Sequence, residues 1–208
     1  MSTTFGPSDS PFDRHADGLA EHGVTEFLLT VDDLETMVRA GVFDRDDGTR
    51  VELEDGRLVR MSAESMPHAR ASARLNKALD RAIERLGLEE RYEVLNGGTV
   101  RVSKASAFDP DGAVIARDAE AFFLRPDQVF LVIESSLATL TRDLGSKRQA
   151  YAAAGIAEYW VIDVKHAKLH VFRRPFEGDW SERLILTAED SVSPLFAPDA
   201  DIALKSVF

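Results

Sequence analysis

The run Val129-Phe130-Leu131-Val132-Ile133 constrains this chain more than any other segment. Five consecutive apolar residues leave a strand without a polar face, so it must lie inside a sheet that is covered on both sides. The residue that closes the run is Glu134. A carboxylate at the end of a buried strand sits where α/β sheets place ligand and catalytic groups, although a helix cap or a surface acid is the plainer reading of one residue.

The two covering layers are visible as amphipathic helices. Residues 67–86 place Leu75, Leu79, Ile83 and Leu86 on one stripe, with Pro67 suited to the first turn. Residues 141–154 form a second helix that stops at Gly155 and leads into the apolar strand 159–163. Upstream, a short helix runs from residues 30–32 to about Gly41. A hairpin follows, its strands 51–54 and 57–60 joined by Asp55-Gly56, a pair that accepts the positive φ angles of a two-residue turn. Further strands are expected at 92–95, 99–102 and 113–115, with outer strands at 168–172 and 183–186. Residues 1–25 mix Ser, Pro, Gly, Asp and His without periodicity and read as a mobile N-terminal tail. One domain over 26–208 accounts for the rest, an α/β fold with a central mixed β-sheet flanked by α-helices. The end of the chain is too irregular to assign.

With no cysteine in 208 residues, disulfides, thiolate zinc sites and a cysteine nucleophile are excluded. Carboxylates and histidines remain as metal ligands, which favours hard, oxygen-preferring ions. Asp111 follows Pro110 and immediately precedes a short apolar strand; Asp after Pro is also common in plain turns. Lys147 is more informative. On a helical wheel it falls in one arc with Leu140, Leu144, Tyr151 and Ala154, the face that packs on the sheet, where an ammonium group needs an anion. An Asp143–Lys147 i, i+4 pair or a snorkelling stem is the alternative. If the ammonium lies in an acidic cleft, Lys147→Met is expected to preserve the packing of the stem and leave the fold stable while abolishing any metal-dependent cleavage. Glu52 alternates with Val51 and Leu53 in the hairpin and by itself reads as solvated. His68 lies in the first turn of a helix, where a neutral imidazole fits better than a cation.

The ordered series VELEDGRLVRMS, MPHARASARLNKAL, FDPDGAVI, VFLVIES and RDLGSKRQAYAAAGIAEYWVIDV resembles the bacterial putative restriction endonuclease family of the PD-(D/E)XK nuclease superfamily, over about residues 27–208. The resemblance implies a restriction-endonuclease-like fold and a Mg²⁺- or Mn²⁺-dependent endonuclease acting on nucleic acid, with DNA the expected substrate. It makes Asp111 and Glu134 metal-binding acids and Lys147 the catalytic lysine. Glu52 becomes a further ligand and His68 an accessory catalytic residue. Ser136 stands where the linear E-x-K form has lysine, which displaces that role to Lys147 on the following helix. Gly112 stands where a β-branched residue is usual.

The net charge of -11 opposes non-specific coating of nucleic acid, since such binding neutralises phosphates. A bound divalent ion and a few cations, for which Arg101, Lys104, Arg142 and Arg148 are candidates, would offset it locally. A non-catalytic binding or assembly module on the same fold, or hydrolysis of another phosphoester, uses the same acids. A homodimer is left open. No apolar stretch is long enough for a membrane span and the start lacks a signal-peptide core, so a cytoplasmic location is expected.

Overall fold

The structure, a computed structural model, describes residues 25–44, 50–63 and 65–208. The expected N-terminal tail lies outside the described residues except for its last position.

Six strands form the central sheet: β3 (Tyr92–Leu95), β6 (Gly112–Ala116), β7 (Val129–Ser136), β8 (Glu158–Asp163), β9 (Lys168–Phe176) and β10 (Asp179–Thr187), in the order β10-β9-β8-β7-β6-β3. β7 and β8 are parallel and every other neighbouring pair is antiparallel, so the sheet is mixed as expected. The apolar run lies within β7, third from one edge, and is buried between β6 and β8. Parallel neighbours need a crossover connection, and the helical segment 140–153 supplies it.

Alternation along β7 divides the core. Leu131 and Ile133 join Trp160, Ile162 and Val171 beneath α2 (Met66–Leu86), whose Leu75, Leu79 and Ile83 are almost wholly buried. Val132 faces the opposite layer with Tyr151, Tyr159, Val161, Phe172 and Trp180. Each fully buried aliphatic side chain in these layers contributes about 2 kcal/mol relative to exposure. The irregular end of the chain packs on α2 through Val192, Ile202 and Leu204. Polar contacts inside the fold direct it: buried Glu158 accepts from the Leu195 amide at 2.6 Å, and Arg173 reaches the Ser193 carbonyl.

A second sheet, β2-β1-β5-β4, gathers β1 (Arg50–Glu54), β2 (Arg57–Met61), β4 (Val100–Arg101) and β5 (Ala107–Phe108). α1 (Val31–Arg39) packs on it by burying Val31 and Leu34 beside Leu53 and Ala107, and Thr30 caps the helix N-terminus. The hairpin therefore belongs to its own sheet. The crossover helix also differs from the expected single element: α3 (Leu140–Arg142) and α4 (Arg148–Ala153) are separated by a π turn, Asp143–Lys147, in which Gly145 leaves helical geometry. Insertions of this kind shift the phase of the residues that follow. Lys147 and Tyr151 are buried, whereas Leu140 and Leu144 are only partly so.

The hairpin turn fixes the second sheet against the segment before α1. Asp55 and Gly56 take φ of 48° and 80°. The Gly56 amide donates to Ala105 O at 2.7 Å, its carbonyl accepts from Leu29 N at 2.9 Å, and a Cβ at Gly56 would come within 2.8 Å of Leu28 Cβ. Gly56→Ala is expected to cost about 1–3 kcal/mol through positive φ and this close approach, read as a lower urea midpoint at unchanged slope.

Candidate active site

Glu134 and Ser136 point from β7 toward the crossover helix, while Ser135 points toward α2. Ser135 Oγ donates to the His68 carbonyl at 3.2 Å, and Ser136 Oγ donates to buried Asp143. Asp143 also accepts from Thr139 Oγ1 at 2.6 Å, so among the described residues its side chain is hydrogen-bonded by these two hydroxyls and not by the lysine of the next turn. Lys147 Nζ instead lies 2.8 Å from Glu134 Oε1 and 2.9 Å from Glu52 Oε1. All three side chains are buried. The phase shift of the π turn and the hairpin of the second sheet meet at this ammonium group.

Asp111 arrives from the other neighbour of β7. The ladder between β6 and β7 begins at Gly112 opposite Ile133, and one residue further the Asp111 side chain continues it by accepting from Ser135 N at 2.7 Å. The same oxygen lies 3.0 Å from His68 Nε2, on the first turn of α2. Gly112 has a local reason: a Cβ there would sit 2.3 Å from Asn76 Oδ1. Asn76, buried on α2, uses its Nδ2 to hold the Asp111 carbonyl at 3.0 Å and Asn96 Oδ1 at 2.9 Å. The missing β-branch at 112 makes room for the amide that fixes Asp111.

Asp111, Glu134, Lys147 and His68 thus line one cleft of about 320 Å³, together with Arg142 and Met61. Glu52 sits behind Lys147, fully buried. Its Oε1 accepts from Lys147 and from Asp109 N, and its Oε2 accepts from Arg142 at 2.7 Å. Arg142 also holds Glu54 at 2.8 Å. Sequence pattern does not single out Tyr151 as a site residue, yet its hydroxyl donates to Glu134 Oε1 at 3.2 Å. Asn76 is likewise found only from the fold. The one sequence signal for Tyr151 is its place on the same helix arc as Lys147.

Charges in this cluster do not balance. Burial pushes the Glu134 carboxyl well above the ordinary carboxylate range, Lys147 pulls against that, and Asp143, Asp111 and Glu52 add to the push. For Lys147, burial disfavours the cation, but Glu134 and Glu52 prevail and hold it above its ordinary value. Glu52 experiences the same burial, and Lys147, the Asp109 amide and Arg142 together bring it below the usual range. Burial first, and then the neighbouring acids, disfavour the Glu134 carboxylate, and a divalent cation would offset that excess of negative charge.

Among the described residues no three Asp, Glu or His side chains converge as a preformed metal cage. The donor set does fit a two-carboxylate site for a hard ion. Asp111 Oδ1 and Glu134 Oε2 make no hydrogen bond among the described residues, and both acids line the cleft. A six-coordinate ion would take its remaining oxygens from water and substrate. Glu52, expected as a further ligand, has both oxygens committed to Lys147, Arg142 and the Asp109 amide.

A mixed sheet with an acid near the end of its central strand, a second acid just before the adjacent strand and a lysine from the crossover helix is the arrangement of a restriction-endonuclease-like domain. The Uma2 family model, described as "Putative restriction endonuclease", matches residues 31–205, and the chain belongs to that family. A crystal structure of a putative nuclease belonging to DUF820 from Anabaena variabilis ATCC 29413 is similar in fold, with a TM-score of 0.58 and 16% identity over 76% of this chain and 89% of that one. A search of curated proteins found no match. No described helix is long and apolar enough to cross a membrane.

Lys147→Met is not the neutral change that the helix pattern alone implies. Removing the cation leaves Glu134 and Glu52 facing each other out of water, and a loss of about 3 kcal/mol is expected in urea unfolding at neutral pH. The double variant Lys147→Met, Glu134→Gln should recover a large part of it, because the amide carries no charge. In a second cycle, Gly112→Ala should destabilise the chain by about 1–3 kcal/mol, and by clearly less in an Asn76→Gly background.

Proposed function

We propose that this chain is a metal-dependent endonuclease that hydrolyses phosphodiester bonds in DNA, acting in the cytoplasm. The observation that carries the reading is the Lys147 ammonium 2.8 Å from Glu134, at the floor of the cleft that Asp111 also lines. Asp111 and Glu134 would hold Mg²⁺ or Mn²⁺, which when bound supplies charge that polarises a phosphate oxygen and acidifies a nearby water. Lys147 spends two of its three N–H donors on Glu52 and Glu134. The third is left to orient a water or to meet charge developing on a phosphate oxygen. Glu134 and Glu52 keep that ammonium charged, and Arg142 holds Glu52 in place. Tyr151 holds Glu134 Oε1, leaving Oε2 toward the cleft. His68 and the Ser135 amide fix one Asp111 oxygen in the same way.

One observation favours a non-catalytic binding or assembly module. Two of the cations offered by the sequence for phosphate contact are already neutralised by the protein's own acids, Arg142 by Glu52 and Glu54 and Arg148 by Asp179. Incubating the purified chain with single-stranded, duplex and branched DNA under Mg²⁺ or Mn²⁺ separates the two readings. Cleavage is expected, with Glu134→Ala slower by about a hundredfold or more. Calorimetric Mn²⁺ binding should vanish in Asp111→Asn, Glu134→Gln. Metal binding without cleavage would establish the module, and cleavage by Glu134→Ala at the wild-type rate would remove the catalytic assignment.

A further inference from the structure

Arg70, Arg74, Lys77, Arg81 and Arg85 recur along α2 at steps of three and four residues, and all five are exposed. At roughly 100° per residue they occupy an arc of about 80°, opposite the stripe of Leu75, Leu79 and Ile83 that packs on the sheet. With a rise of 1.5 Å per residue the row is about 22 Å long. It begins at the end of α2 that carries His68, whose Nε2 lies 3.0 Å from Asp111, but on the opposite face of the helix, since two residues are about 200° apart.

This row differs from most arginines elsewhere among the described residues. Arg39, Arg101, Arg117, Arg142, Arg148 and Arg173 each meet an Asp or Glu side chain. Three of them, Arg101, Arg142 and Arg148, are among the cations the sequence offers for phosphate contact. None of the five on α2 forms an ion pair with an Asp or Glu among the described residues. Arg74 reaches the main-chain oxygens of Val207 and Phe208, Arg85 that of Ala200, and the other three have no hydrogen bond from their side chains among the described residues. Acidic neighbours are few: Glu84 and Asp80 flank the row on the same helix, and Asp201 lies beside Arg81 and Arg85. Five cations against three acids leave the face positive, in a chain whose net charge is -11.

We propose that this face of α2 is the track that holds the phosphodiester backbone of the nucleic acid delivered to the cleft. The proposal rests on the nuclease reading and adds to it where the substrate lies. A small anion needs two or three cations, whereas a row of about 22 Å matches a polyanion, on the order of six successive phosphates of one strand at 3.4 Å each. A protein with strongly negative net charge repels such a polymer except where cations are left unneutralised, so this row is where counterion release provides affinity.

The test is anisotropy of a labelled 20-nucleotide DNA, single-stranded and duplex, in EDTA, so that binding is read without catalysis. The triple variant Arg70→Gln, Lys77→Gln, Arg81→Gln is compared with wild type and with the control Arg117→Gln, Arg125→Gln, Arg183→Gln. The α2 variant should bind about tenfold or more weakly at low salt, and its log K against log salt slope should be shallower by about 2 to 3. The control should change neither quantity appreciably. Equal affinity and slope in the α2 variant would overturn the proposal and leave the nuclease reading untouched if wild type still cleaves. Equal competition by polyglutamate of matched charge, or no binding by wild type, would overturn it as well. Cleavage that fails while the α2 variant still loses binding would leave the track standing and remove only the catalytic reading.

Discussion

The ammonium of Lys147, held between Glu52 and Glu134, is the interaction on which the rest of this structure depends. It joins three parts of the fold: the hairpin of the small sheet, the central strand β7, and the crossover helix. A buried ion pair is a poor source of net stability, because desolvation offsets most of the attraction. It is a strong source of position. Only one placement of the small sheet gives Glu52 the lysine, the Asp109 amide and Arg142 together, and that placement also forms the wall of the cleft.

The other acid is placed by a different device. Asp111 extends a sheet ladder with its side chain, and its backbone is held by an amide from α2 that occupies the volume a side chain at Gly112 would fill. Each acid thereby has one oxygen engaged and one toward the cleft. Burial and the neighbouring acids hold the Glu134 carboxyl well above its ordinary range, and a divalent ion would offset the same excess of negative charge.

Much of this was legible in the sequence. The unbroken apolar run gave the central strand, the stripe of Leu75, Leu79 and Ile83 gave the helix that covers it, and Asp55-Gly56 gave the hairpin turn. Lys147 stood out because its helix arc was otherwise apolar. What was not legible depends on contacts between segments far apart in the chain. Period alone could not show that the crossover helix is interrupted by a π turn, since the arc through Leu140, Leu144 and Lys147 looks continuous on a regular wheel. Glu52 looked solvated because alternation in a hairpin reports only one covered face, and β1 buries both Glu52 and Leu53, on opposite faces. The end of the chain had no pattern to read, because main-chain contacts with Arg173 and Glu158 place it.

The separation of the site residues along the chain has a consequence for how the protein is made. Glu52 and Lys147 are 95 residues apart, His68 and Ser135 are 67 apart, and Asp111 and Ser135 are 24 apart. Contacts of such range form late, because the entropy of closing the intervening loops must be overcome before the contact stabilises anything. During synthesis the hairpin and α2 emerge well before the crossover helix that carries the lysine. Until that helix docks, the acids have no cation and the cleft has no floor. Any chemistry performed there is therefore withheld from the growing chain and from partly unfolded forms, so that activity and completed folding begin together.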